Sequence, residues 1–495
     1  MTTQQTAPER ESAQAWPALW SLLFGFFMIL VDSTIVSIAT PALMTGLSAD
    51  IGKVVWVTSA YLLAYAVPLL ITGRLGDRFG PKRLYLVGLV VFTVASGLCG
   101  FAPTVEVLIA ARILQGLGAA MLTPQTMAVI TRLFPPHRRG AAMGIWGATA
   151  GVATLVGPLL GGVLIDTLGW RWIFFVNLPV GLVGFLMVVR NVPSLEKHPH
   201  RFDLLGVALS AIGMFCLVFG IEEGSNYDWG TIVGPISVWG LIIAGAVVMV
   251  LFVVWQAKQR SEPLVPLSLF ADRNFAAANV GIASMGAMIT SMVFPQMLYT
   301  QSMRGLSPTQ AALLTLPLAL ISGGLAPLAG RMIDRMDPKW FAVAGFTLMG
   351  VGLYVQSLVM KPGLSVLWLL LPAAIIGVAN AGIWGPLSVS ATRNLPPHRA
   401  GAGAGVYNTT RQMGAVLGSA AIATLMQDRI AAQFREAGLP GGSVERSGGI
   451  IPPFLEAPFT AAMSQSTLLP AAMALVGLVA VLFLEPPRPR GTMER

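Results

Sequence analysis

Two short segments of this chain occur twice, in the same order and at nearly the same separation. Gly73-Arg-Leu-Gly-Asp77-Arg78-Phe-Gly-Pro81-Lys82 returns 257 residues on as Gly330-Arg-Met-Ile-Asp334-Arg335-Met-Asp-Pro338-Lys339. Thr131-Arg132-Leu-Phe-Pro135-Pro136-His137-Arg138 returns 261 residues on as Thr392-Arg393-Asn-Leu-Pro396-Pro397-His398-Arg399. Matched order and matched offset mean two homologous halves. Each copy reads as a short basic loop between long apolar runs. That is the layout of two related helical bundles with a path for solute between them.

Composition decides where such a chain lives. Hydrophobic residues make up 55% and charged residues 11%. A soluble domain carries roughly 25% charge, and no polar stretch of soluble-domain size is present. The fold expected is therefore an all-α membrane protein in the lipid bilayer. The sequence pI near 9.9 raises the possibility of nucleic acid, but the charges are scattered over loops, which argues against it. Cys99 and Cys216 lie inside apolar runs, and the four histidines form no ligand cluster, so no metal is expected. No phosphate-binding loop suggests ATP hydrolysis, and no catalytic motif suggests an enzyme.

Apolar runs of spanning length number about fourteen. They divide the chain into a polar tail at 1–16, a six-helix bundle at 17–192, two inserted helices at 203–257, a second six-helix bundle at 274–486 and a tail at 487–495. The repeat offset leaves room for the inserted pair. Loops on one side of this layout, with both termini, hold 22 of the 31 Lys and Arg residues, and opposite loops hold seven. The positive-inside rule then places both termini in the cytoplasm of a cell membrane protein.

Asp32 is the acid that lies well inside a span. Burial in hydrocarbon costs several kcal/mol, so the carboxyl is expected to face a polar path. Burial disfavours its charged form and a neighbouring cation favours it. A carboxyl held between those effects can take up and release a proton. Arg112, in the fourth span at similar depth, is the expected partner; a cationic substrate could replace it as counter-ion. The competing reading is a purely structural ion pair.

The fifth span is rich in small residues. Gly157, Gly161 and Gly162 with Pro158 read as a closely packed, kinked pivot between the halves. Gly73, Asp77, Arg78, Asp334 and Arg335 read as gating elements on the cytoplasmic side. Tyr407, Asn408, Arg411 and Gln412 form a polar cluster in the thirteenth span that is expected to line the cavity. Glu222 and Glu223 read as a solvated helix end. The segment 429–466 reads as the longest outer loop.

These residues resemble the major facilitator superfamily, and within it the 14-helix drug:proton antiporters of the EmrB/QacA type. The resemblance covers about residues 17–485. Gly73 to Arg83 resembles the family's loop signature between helices two and three. Arg112-Ile-Leu-Gln115-Gly116 resembles its fourth-helix motif, associated with proton coupling. Ala153-Thr-Leu-Val-Gly157-Pro158-Leu-Leu-Gly161-Gly162 resembles its exporter motif, with Ala153 where glycine is usual. Asp32-Ser-Thr-Ile-Val-Ser37-Ile-Ala-Thr40-Pro41 resembles the first-helix signature, with Ser37 and Thr40 where Asn and Leu are usual. Trp170-Arg-Trp-Ile-Phe-Phe-Val-Asn177-Leu-Pro179 is a further stretch of that subgroup, and Gln115 and Asn177 join the expected cavity.

The resemblance implies proton-driven export of amphipathic or cationic drug-like molecules, with the proton-motive force in place of any cofactor. A dedicated exporter of one lipid or antibiotic, a proton symporter importing a nutrient, and a non-transporting scaffold are the rival readings. No adaptor protein is legible. The repeat also fails informatively. At its offset Asp32 falls near Ile289, Arg112 near Ala373 and Pro158 near Ser419. The expected proton chemistry therefore belongs to the first half alone.

Overall fold

The structure, a computed structural model, describes residues 7–134, 136–195, 203–224, 227–259, 263–333, 336–395, 400–438 and 453–485. The first half contains α1 (Ala7–Ile38), α2 (Thr40–Leu47), α3 (Ile51–Ala66), α4 (Leu69–Phe79), α5 (Pro81–Phe101), α6 (Val105–Leu133), α7 (Pro136–Leu168), α8 (Trp172–Phe175) and α9 (Asn177–Asn191). An inserted pair follows, α10 (Leu204–Glu222) and α11 (Val238–Lys258), joined through a small hairpin of β1 (Thr231–Val233) and β2 (Ile236–Ser237). The second half contains α12 (Arg273–Met297), α13 (Pro308–Leu313), α14 (Leu316–Ile333), α15 (Pro338–Val359), α16 (Leu370–Thr392), α17 (Ala400–Glu436), α18 (Glu456–Ser466) and α19 (Leu468–Leu482).

Among the described residues, eleven helices are long and apolar enough to cross a membrane. The consecutive pair α3–α4, the 33-residue α7 and the 37-residue α17 are also long enough at about 1.5 Å of rise per residue. They carry more small and polar residues because they line contacts between helices. The architecture is all-α, with eleven spanning helices among the described residues, or twelve with the bent α2–α3 pair, and these longer stretches leave room for the fourteen crossings expected.

Local chemistry sets the helix ends. The Asp50 carboxylate accepts from the Lys53 amide at 2.8 Å to start α3, and Asp203 and Asp272 do the same for α10 and α12. Each satisfies an amide that the first helical turn would leave unpaired. Gly80 turns the chain between α4 and α5 at φ 98°, a conformation that disfavours any side chain, and Pro81 opens α5. In the second half Asp337 stands at the corresponding place and caps α15 through the Lys339 amide at 3.0 Å. The repeated proline is thus kept, while the turn before it is solved differently.

Several boundaries move from their expected places. The first repeated segment is helical through Phe79, not a loop, because backbone bonding continues after the apolar stretch ends. The first span breaks at Ala39, and α2 then meets α3 at 119°. The outer loop expected from 429 begins later, since α17 runs to Glu436, and it ends earlier, at α18.

One apolar core is built mainly from the first half, with Leu22, Met28, Tyr61, Tyr85 and Phe92, and takes in Val416 of α17 and Met214 of α10; another lies in the second half, with Phe275, Met285, Phe346 and Met349. A further cluster crosses between halves, where Ile51 and Val55 of α3 meet Phe294, Ile422 and Met426. The inserted pair sits to one side. Thr424 of α17 donates to the Ile221 carbonyl at 2.5 Å, and Trp56 of α3 donates to Glu223 Oε1 at 2.8 Å. The outward face of α11 presents Trp239, Ile243, Val247, Val250 and Val254, a surface suited to lipid.

Candidate proton-coupling and transport site

Asp32 is fully buried, and three side chains converge on it. Arg112 Nη1 donates to Oδ2 at 2.5 Å. Gln115 Nε2 and Asn177 Nδ2 donate to Oδ1 at 2.8 and 2.9 Å. The donors come from α6 and from the first residue of α9, so one carboxylate ties three helices together. Arg112 and Gln115 are three residues apart on α6, the spacing that puts side chains on one helix face. Each donor is held in turn. Arg112 Nε donates to the Val57 carbonyl of α3 at 3.2 Å, and its Nη1 also reaches Gln115 Oε1 at 2.8 Å. Asn177 Nδ2 also donates to Ser96 Oγ, whose hydroxyl donates to the Phe174 carbonyl at 2.9 Å.

Above the guanidinium lies the Tyr61 ring, 4.0 Å from its central carbon. A charge pair in such a place is costly to desolvate and costly to break. Removing one partner of a buried ion pair leaves the other uncompensated and destabilises by about 3–5 kcal/mol. Proton transfer to Asp32 has the same electrical effect as removing its charge. It cancels the attraction that holds Arg112 and releases a guanidinium that must find a new acceptor.

Gln115 and Asn177, expected in the cavity wall, are instead partners of the carboxylate. The expected second polar cluster is assembled on α17. Tyr407 is buried and its hydroxyl has no partner among the described residues. Gln412 is also buried, and Asn408 is half-buried. The Arg411 guanidinium lies 5.7 Å from the centre of the Trp384 ring of α16. Tyr65 of α3 is within electrostatic range of it, and Tyr65 shares a 2.7 Å hydrogen bond with Thr123 of α6. The ring that Arg411 contacts thus belongs to the second half.

The small residues of α7 divide their work. Gly157 and Gly161 pack against Thr34 and Ile35 of α1, inside the first half. Gly162 packs across the halves: a Cβ there would lie 2.7 Å from Thr309 Cα and 3.0 Å from the Pro308 carbonyl carbon. Pro158 sits inside a helix that continues through it. Of these three glycines, only Gly162 meets the other half.

Gly73 and Arg78 fall on α4, with Arg78 exposed over the Phe79 ring. Asp77 is on the same helix with its side chain outside the described residues, as are Asp334 and Arg335 in full. Two residues missed in the sequence take part at the equivalent end of the second half. Arg393, from the second repeated segment, approaches Asp337, from the first, at 3.9 Å. The repeats had carried this signal: both segments recur, and their copies meet.

Missed as well was a seam that joins the two halves at the end of the helices opposite the repeated segments. Asp166 Oδ2 accepts from the Thr309 amide at 3.0 Å, Gln301 Nε2 donates to the Ile38 carbonyl at 3.0 Å, and Ser59 and Ser419 hydroxyls bond at 2.7 Å. Glu222 corrects the reading of a solvated helix end. It is 2% exposed beside this seam, and neither carboxyl oxygen has a hydrogen-bond partner among the described residues. The hydrophobic run ended at Glu222, but packing of α10 on α3 and α17 covers that end.

A family model described as the Major Facilitator Superfamily matches residues 22–419. The chain belongs to the Major Facilitator Superfamily. It is a multi-pass membrane transporter. It is 51% identical over 477 residues to an uncharacterized transporter of this superfamily, Rv1250, from Mycobacterium tuberculosis, covering 95% of this chain and 81% of that one. It is 33% identical to the tetracenomycin C resistance and export protein of Streptomyces glaucescens, covering 86% and 79%. It is 30% identical to the multidrug export protein EmrB of Escherichia coli, covering 86% and 83%. The resemblance to EmrB-type members read from the motifs therefore holds. Among solved structures, an inward-facing bacterial homologue of the human lysosomal transporter Spinster superposes with a TM-score of 0.65. It covers 96% of this chain and 99% of that one at 15% identity, a likeness of fold.

Proposed function

We propose that this transporter is an exporter that moves amphipathic small molecules out of the cytoplasm in exchange for protons. The observation that carries the reading is the enclosed carboxylate Asp32, held by Arg112, Gln115 and Asn177. Export is supported by relatives named as export proteins for several compounds. The proton-motive force supplies the drive without a cofactor. Its electrical part amounts to about 2.3 kcal/mol per charge per 100 mV. Both termini lie in the cytoplasm, as the Lys and Arg distribution requires.

In this reading the closed outer seam is one end of the cycle, and substrate enters from the cytoplasmic side. Opening of the seam lets an outside proton reach Asp32. Neutralised Asp32 lets Arg112 go, and α6 shifts against its neighbours. Return to the ionised pair delivers the proton inward. Because Asp32 is enclosed, a cationic substrate can take the place of Arg112 only after the pair has parted.

Asp32→Asn tests the proposal. The variant is expected to reach the membrane at a stability cost of about 3–5 kcal/mol, since Arg112 loses its counter-charge while the side chain keeps its shape, so efflux is read per amount of folded protein. It should fail to accumulate dye in inside-out vesicles under a proton gradient. Dye accumulation at the parental rate would remove Asp32 from the coupling role. A second reading, a dedicated exporter of one metabolite, is favoured by relatives named for single products, tetracenomycin C and actinorhodin. The resistance profile of a deletion strain separates the two: sensitivity to many unrelated compounds against sensitivity to one.

A further inference from the structure

The two intramembrane arginines have opposite surroundings. Arg112 is answered by a carboxylate, an amide oxygen and a carbonyl. Among the described residues, Arg411 makes no hydrogen bond and no ion pair. The contact it does make is with a ring, Trp384 at 5.7 Å, and Tyr407 lies one turn earlier on the same helix. An arginine does not shed its proton in proteins, so the charge is permanent. Aromatic faces attract a guanidinium, but they leave its five N–H donors unanswered. Beside it the Tyr407 hydroxyl is buried and also unanswered.

The site is built, with its wall fixed. Trp384 Nε1 donates to Asn380 Oδ1 at 2.9 Å, and Asn380 Nδ2 donates to Ser322 Oγ of α14 at 2.8 Å, which locks the indole in place. Thr290 of α12 holds α17 through the Ala415 carbonyl at 2.9 Å, one helical turn beyond Arg411. Arg411 itself is half-buried, so its donors are reachable. The acid that would otherwise attract a positive cargo, Asp32, is fully enclosed and already neutralised by Arg112.

We propose that Arg411 is a substrate-recognition site for an acidic group, a carboxylate or similar oxyanion, on an amphipathic aromatic molecule. The planar guanidinium fork takes two oxygens at once, and the half-buried Trp384 ring beside it offers a face to the apolar body. This changes the charge of the cargo expected from Asp32 alone. The class of cargo rests on the export reading, whereas binding at Arg411 does not.

The test uses full-length protein in lipid nanodiscs and two probes of one shape, 9-anthracenecarboxylic acid and its uncharged carboxamide. Calorimetric titration of the parent is expected to show the acid binding about tenfold or more tighter than the amide. Arg411→Gln should lose that preference, Arg411→Lys should retain part of it, and Asp32→Asn should retain it in full. Equal affinity of the parent for acid and amide overturns the proposal without any variant. So does an Arg411→Gln protein that keeps the parental preference. If the acid binds with this pattern but is not carried into inside-out vesicles, export fails as the activity and the site at Arg411 stands.

Discussion

Asn177 donates to Asp32 Oδ1 at 2.9 Å across 145 residues of chain. The bond joins the start of α9 to the last third of α1 and supplies one of the three donors that hold the carboxylate. A hydrogen bond to a charged group contributes about 1.5–3 kcal/mol. Asn177→Ala is therefore expected to fold, since Gln115 and Arg112 remain, but to loosen the arrangement on which coupling depends. Proton-driven dye efflux should fall by about tenfold, at a stability cost of about 1–3 kcal/mol, measured by thermal unfolding in detergent. Unchanged efflux with normal folding would confine Asn177 to bracing.

The Arg112 side chain is used twice, on Asp32 through Nη1 and on the Val57 carbonyl through Nε. Lysine offers one ammonium at the end of a flexible stem and cannot reproduce that planar reach. Arg112→Lys should keep most of the stability and lose most of the transport. Arg112→Gln should cost about 3–5 kcal/mol, because Asp32 is left buried without its counter-charge. Adding Asp32→Asn to Arg112→Gln should restore part of that loss. A double variant no more stable than Arg112→Gln would mean that the two charges do not depend on each other.

At the seam between the halves Gly162 faces backbone, not a yielding side chain. An added methyl group would press on Thr309 Cα and the Pro308 carbonyl carbon at 2.7 and 3.0 Å. Gly162→Ala should therefore shift the protein away from the outer-closed arrangement. The readout is a cysteine placed at Ala311, a buried position in the apolar cluster that includes Ile38 and Met297. In a background lacking Cys99 and Cys216, its labelling by a membrane-impermeant thiol reagent should rise several-fold with Gly162→Ala. Labelling at the parental rate would show that the seam tolerates the methyl group.

Much of this was legible in the sequence, for identifiable reasons. Asp32 and Arg112 stood out because a charge in an apolar run is expensive and needs a partner. The duplicated segments exposed the two halves. Gln115 and Asn177 were found only as cavity candidates, since an amide in a helix does not announce what it bonds. The seam was invisible because Asp166 and Gln301 bond to backbone groups, the Thr309 amide and the Ile38 carbonyl, and a backbone partner leaves no mark on sequence. Glu222 was misread for a related reason. Hydropathy locates the end of an apolar stretch but not the neighbours that cover it.

Glu222 gives the last expectation. Its carboxyl is 2% exposed between α10, α3 and α17, and neither oxygen is hydrogen-bonded among the described residues. Ser59 lies beside it but is engaged with Ser419 at 2.7 Å, and the neighbouring Glu223 carboxylate accepts from Trp56. A negative charge here would have no cation to answer it, and burying such a charge is costly. The side chain is thus better served by a neutral form, which glutamine imitates in shape and size. Glu222→Gln should leave the melting temperature unchanged or raise it slightly. Glu222→Lys should lower it by several degrees, since it places a large cation at a packed junction of three helices. If the glutamine variant were as unstable as the lysine variant, a negative charge at Glu222 would be part of what holds the inserted pair to the transporter.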